Sequence, residues 1–186
     1  GQLCAAAWGQ RQPGNIAVFW PPRYVAPEAN DTSQRLADAV VHDLDELAVE
    51  LTQVLVSASE PHIVPVLEQV GFRRLAELHY MACEASRFPR EKPTPSELAF
   101  VTYDDSQWAR LMRLIERSYD GTLDCAGLND IRDMENVIIG YQATGTYRPE
   151  NWLIVRAGGD DMGILLLADH PKAGHWELMY MGLMPE

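Results

Sequence analysis

Hydrophobic positions along the chain change period several times, from the short apolar runs of strands to the three-and-four spacing of amphipathic helices. Leu3 to Trp8 and Ile16 to Trp20 read as strands flanking a turn at Gln12-Pro13-Gly14-Asn15, the second followed by Pro21-Pro22. Next, Leu36, Val40, Leu44, Leu47 and Leu51 form an apolar stripe at helical spacing, with Asp31, Thr32 and Ser33 as capping residues. Val54 to Ser57 reads as a short buried strand. Pro61 opens a helix that runs through Val70 and stops at Gly71, and Phe72 to Cys83 follows as a long strand. Strand, strand, helix, strand, helix, strand is the order of an α/β segment with a crossover helix.

A second pattern begins at Leu98. Leu98 to Tyr103 is a strand, and Ser106 caps a helix carrying Trp108, Leu111, Met112 and Ile115 on one face. A Gly-bearing loop from Asp120 to Asn129 leads to another amphipathic helix, with Ile131, Met134, Val137, Ile138 and Tyr141, capped by Asp130 and ended near Gly145. Trp152 to Ala157, Met162 to Ala168 and His175 to Met184 are strands, joined by Gly158-Gly159-Asp160 and His170-Pro171-Lys172-Ala173-Gly174 into an antiparallel meander. Between the two patterns Pro89, Pro93 and Pro95 break any regular period. The chain therefore divides into 1–83, a linker at 84–97, and 98–186.

Composition narrows the function classes. With 15 Lys+Arg against 27 Asp+Glu the net charge is −12, and no Lys/Arg cluster makes a stripe that would follow phosphates. Nucleic acid and anionic membrane are thus excluded as expected partners, and no apolar run nears the ~18 residues needed to cross a bilayer. Cys4, Cys83 and Cys125, odd in number and widely spaced, make neither a disulfide framework nor a metal motif, which points to a reducing cytoplasm. The five histidines lack metal-gathering spacing, so no metal is expected. Exposed strand edges are expected wherever half a fold ends, which implies self-association into a homo-oligomer.

The last strand, Trp176-Glu177-Leu178-Met179-Tyr180-Met181-Gly182-Leu183-Met184, reads as buried, with one acid inside it. A carboxylate in an apolar strand is costly unless it has a partner or a function, so Glu177 leads the candidates for chemistry. The alternative is a strand-edge acid that faces solvent or pairs with an arginine.

At these residues the chain resembles the GCN5-related N-acetyltransferase (GNAT) family. The segment from Leu98 is similar to the first half of that fold, ending in the Glu-Leu-Met-Tyr-Met-Gly-Leu run at 177–183. The first segment, with Val54-Leu55-Val56-Ser57 and Gly71-Phe72-Arg73-Arg74, is similar to the second half. The resemblance implies an α/β (α+β) class: an acyl-CoA N-acyltransferase-like mixed sheet flanked by helices, in two partial units of a tandem protein.

The resemblance further implies transfer of an acetyl group from acetyl-CoA to an amine of a small molecule or peptide. Glu177 would be the base that deprotonates the amine, and the amide of Met181 would face the oxyanion. Tyr180, Met181, Gly182 and Leu183 would form the cofactor platform, with Tyr119 and Asp124 on the acceptor side. Cys125 is a minor candidate nucleophile. In the first segment the phosphate-loop stretch from Pro21 to Ser33 contains no glycine. The family's general-acid position falls there on Leu67 and its asparagine on Glu60, so that unit is expected not to catalyse. The cofactor loop of the second would follow Glu186. The competing expectation is a non-catalytic acetyltransferase-like module for ligand sensing or protein interaction.

Overall fold

Pro13-Gly14-Asn15 sets the first hairpin, with Gly14 and Asn15 both left-handed at φ 80° and 55°. That geometry matches the right-handed twist of paired strands. The computed structural model describes residues 3–25, 30–90, 97–122, 126–128 and 131–185. The hairpin joins β1 (Ala5–Gln12) to β2 (Ile16–Tyr24) in antiparallel register. Ala7 faces two residues, Pro21 and Pro22, across a bulge between Ala6 and Trp8. Proline has no N–H to give a ladder, so the pairing slips there by one residue.

Helix α1 (Asn30–Glu46) then crosses over to β3 (Leu51–Gln53), which runs parallel to β2. Helix α2 (Val64–Gln69) follows, preceded by a 3₁₀ turn at Pro61–Ile63. The core of this unit joins Ala17 and Phe19 of β2 to Ala37 and Leu44 of α1 and to Ile63 and Leu67.

Three expectations are corrected in this unit. The helical stripe stops at Glu46 rather than Leu51, because Ala48 turns left-handed at φ 48° and Leu51 begins β3. The strand expected at Val54–Ser57 forms three residues earlier, where the crossover brings the chain beside Ile16–Val18. The strand expected at Phe72–Cys83 does not form. Phe72 stacks its ring on Phe19 at 5.4 Å, but residues 73–83 are exposed, and strand-forming side chains make no strand without a neighbour to pair with.

The second sheet has the order β4-β5-β6-β7, all antiparallel: Leu98–Thr102, Trp152–Ala157, Asp160–His170 and His175–Leu183. Helix α3 (Trp108–Ser118) packs on β6 and β7. Its Leu111, Leu114 and Ile115 are buried, as are Trp152, Ile154, Ile164, Leu166 and Ala168 of the sheet. The cap before this helix is Asp104, whose carboxylate accepts the Ser106 N–H at 2.8 Å. Ser106, the expected cap, lies inside the 3₁₀ turn Asp105–Gln107 that Asp104 starts.

Helix α4 (Met134–Gln142) completes the inventory. The chain forms two compact units, Gly1–Leu75 with Asp130–Gly140, and Ala76–Asn129 with Tyr141–Glu186. In the first, Arg132 donates to the Gly14 carbonyl at 2.9 Å, and a side chain at Gly14 would meet Asn136 O at 2.4 Å. The α/β (α+β) class, with sheets flanked by helices, is what the structure shows.

Candidate functional site

Strand β7 is an edge strand, and this overturns its reading as buried. No strand borders it beyond β6 among the described residues, and Trp176, Leu178, Met181 and Leu183 are 53–69% exposed. A bulge decides which side chains face α3. Leu166 pairs with Tyr180 and Leu167 with Leu178, so Met179 is the extra residue. Glu177 lies opposite buried Ala168, Tyr180 opposite buried Leu166, and Gly182 opposite buried Ile164. These three residues therefore share the helix-covered face. The bulge keeps Glu177 and Tyr180 on one side although they are three positions apart.

Tyr180 sits in a cluster of hydroxyls. Ser118 Oγ gives its proton to the Ile115 carbonyl at 2.7 Å, so it accepts from Tyr180 OH at 2.6 Å. Tyr119 meets the Tyr180 ring edge-on at 5.6 Å, Tyr141 stacks on it at 5.8 Å, and the Tyr119 and Tyr141 hydroxyls are 3.3 Å apart. Gly182 permits this approach: a Cβ there would lie 2.6 Å from Ser118 Oγ and 2.7 Å from Tyr180 OH.

Towards the β6–β7 turn, His170 Nε2 and Glu177 Oε2 are 2.9 Å apart. A carboxylate only accepts, so Nε2 is the donor in this pair. The His175 ring stacks on His170 at 4.7 Å. A Cβ at Gly145 would come within 3.1 Å of His170 Cε1, so the glycine leaves room for the ring. The His170 and Glu177 side chains are 25% and 50% exposed, open enough for a ligand to reach them.

Of the sequence-predicted residues, Glu177, Tyr180, Gly182 and Tyr119 thus belong to the helix-covered side of β7. Met181 and Leu183 pair with Leu165 and Gly163, and their side chains lie on the open face. Asp124 and Cys125 lie outside the described residues. His170, Ser118 and Tyr141 were not singled out from the sequence. For His170 a signal existed, since it and Glu177 flank a turn that brings them diagonally across a hairpin. Two cavities, of about 300 and 200 Å³, lie in the first unit: one is lined by Leu44, Asp45, Glu50 and Phe72 among others, the other by Trp8, Trp20, Arg23 and Leu55 among others. Neither includes Glu177. Among the described residues no group of three or more His, Cys, Asp or Glu would hold a metal ion.

The fold and this polar strand edge define a two-unit α+β protein with an aromatic, hydroxyl-rich site in its second unit. No family model matches the chain, and no curated protein matches it. It is similar to a solved structure of the C-terminal DUF2156 domain of a provisionally assigned lysylphosphatidylglycerol synthetase from Agrobacterium fabrum, at 13% identity and TM-score 0.34. The match covers 98% of this chain, which spans 58% of that one. At that similarity no activity is transferred. The resemblance to GCN5-related acetyltransferases is corrected accordingly, together with the acetyl transfer from acetyl-CoA, the GNAT enzyme class and the acetyltransferase-like sensing module. The neighbour is differently described, and the physical ground for the resemblance is gone as well. The acid is half-exposed and paired with an imidazole rather than confined in a buried strand, and among the described residues no strand borders it beyond β6. No helix among the described residues is long and apolar enough to cross a membrane.

Proposed function

We propose that the second unit has an enzymatic role built on proton transfer, with His170 as the acid–base group and Glu177 as the residue that orients it. The observation that carries this reading is the 2.9 Å contact between His170 Nε2 and Glu177 Oε2. An imidazole is the side chain suited to exchange a proton near neutral pH, and a carboxylate on one nitrogen fixes the tautomer that leaves the other free to act. The partly exposed setting admits a substrate. A small molecule or peptide with an amine or hydroxyl, whose proton His170 removes, fits this arrangement.

The test pairs a structural and a chemical readout. Long-range ¹⁵N–¹H spectra should give His170 the Nε2–H tautomer, and Glu177→Ala should release it to a mixture. A screen of activated esters and amides should yield a turnover that falls at least tenfold in His170→Ala. Mixed tautomers in the native protein, or a turnover unchanged in His170→Ala, would remove His170 from this role.

A further inference from the structure

Alternate residues of β2 face opposite sides of the first sheet. Ala17 and Phe19 enter the core with Ala37 and Leu44 of α1, so Val18 and Trp20 lie on the other face. Trp8 stands directly opposite Trp20 in the ladder, and the two indoles stack at 5.2 Å with 14° between their planes. Together they form one flat aromatic wall.

The smaller of the two cavities, about 200 Å³, lies against this wall, and Val18, Pro21 and Leu55 complete it with apolar surface. Arg23 is the one charged residue in its lining among the described residues. Its guanidinium forks onto Glu60: Nη1 donates to Oε1, and Nη2 donates to Oε2 at 3.0 Å. The Arg23 and Glu60 side chains are 60% and 29% exposed, so solutes reach the pair from water. An apolar cavity with a few polar groups at its rim is the pattern of a small-molecule site.

We propose that this cavity binds an α-amino acid with an aromatic side chain. The ring lies against the indole wall, where stacking and apolar burial favour a flat group. The carboxylate takes the planar fork of Arg23, and the ammonium turns to Glu60. Charge decides the class. A ligand with only a carboxylate would take Arg23 and strand Glu60, and one with only an amine would take Glu60 and strand Arg23. A zwitterion that carries both charges on one carbon replaces a single exposed pair, which contributes little, with two pairs that leave no charge unmatched. The site lies wholly in the first unit and is independent of the chemistry at His170.

Titration of the full ¹⁵N-labelled chain with L-phenylalanine, followed through the indole N–H resonances of Trp8 and Trp20, tests it. Both resonances should shift saturably, with a Kd below about 1 mM for a ligand of this size. Phenylpropanoate and phenethylamine, which each carry one of the two charges, should bind about tenfold more weakly or worse. Arg23→Gln and Glu60→Gln, both outside the core, should each weaken L-phenylalanine about tenfold and leave the thermal midpoint nearly unchanged. Leu55→Trp, at a position 67% exposed, should fill the cavity and abolish the shifts without touching the core. A weaker Kd in the native chain, equal affinity for either one-charge analogue, or binding unchanged in any of the three variants overturns the proposal.

Discussion

His170 and Glu177 meet diagonally across the β6–β7 pair: Glu177 stands opposite Ala168, and His170, two residues on, leans back to bond it at 2.9 Å. Diagonal neighbours on one face of an antiparallel pair are within reach of long side chains, so the register alone brings the two groups together. The tight turn at residues 171–174 holds that register, with Gly174 left-handed at φ 71° and its N–H bonded to the His170 carbonyl at 2.8 Å.

Glu177→Ala separates function from stability. A hydrogen bond between two solvent-accessible side chains contributes about 0–1 kcal/mol, so urea denaturation should place this variant within about 1 kcal/mol of the native protein. The same change should lower turnover tenfold or more. A loss of several kcal/mol would make the pair a structural clamp instead.

Gly145→Ala should disturb His170 through the backbone. Gly145 is left-handed at φ 60°, and a Cβ would lie 2.6 Å from the Asp169 carbonyl oxygen and 3.1 Å from His170 Cε1. The expected cost is about 2 kcal/mol, with displaced His170 ring resonances in two-dimensional NMR. A native-like thermal midpoint with unshifted resonances would show that the loop yields.

Arg110 fastens α3 to β6, its Nε donating to Asp161 Oδ2 at 2.8 Å. That hydrogen bond, foremost, holds the Asp161 carboxyl below the usual carboxylate range, with the Arg110 and Arg156 charges adding to it against partial desolvation. A lowered folded value means the stabilisation is present above the unfolded value of about 4 and is lost as pH falls through the lower folded value. Acid titration of thermal stability should therefore show a decline below about pH 4 that is shallower in Asp161→Asn. Equal slopes would assign the acid sensitivity to other carboxylates.

Tyr147 controls the alkaline side. Desolvation, followed by the hydrogen bond it donates to Asp105 at 2.7 Å, raises its phenol well above the ordinary tyrosine value. A raised folded value gives stabilisation that is complete below about pH 10 and is lost as pH rises towards the folded value. Tyr147→Phe should flatten the alkaline decline measured by urea midpoint. A decline of the same slope in the variant would locate its source elsewhere.

Much of the secondary structure was legible because its causes are local. The strand at Trp152–Ala157 has the bounds its composition predicts, and the flanking Gly158-Gly159 turn is left-handed at both residues, as only glycine readily allows. The stripe of Leu111 and Ile115 set the phase of α3, and both are fully buried. The functional side was read with less success. An apolar strand with one acid looks the same in sequence whether it lies mid-sheet or at an edge, and only pairing distinguishes them. The bulge at Met179, which turns Tyr180 towards Ser118, depends on two strands in register, as does the meeting of His170 with Glu177.

By itself, the order of residues determined the turns and most of the helices and strands, because side-chain periodicity, proline's missing donor and glycine's freedom at positive φ act over a few neighbouring residues. Tertiary structure decided which of those strands has a neighbour: it left β7 on an edge, left 73–83 without a ladder, and brought an imidazole to a carboxylate. The reason is physical. Burial and pairing are properties of surfaces that meet, and a strand's own side chains do not specify what lies beside it.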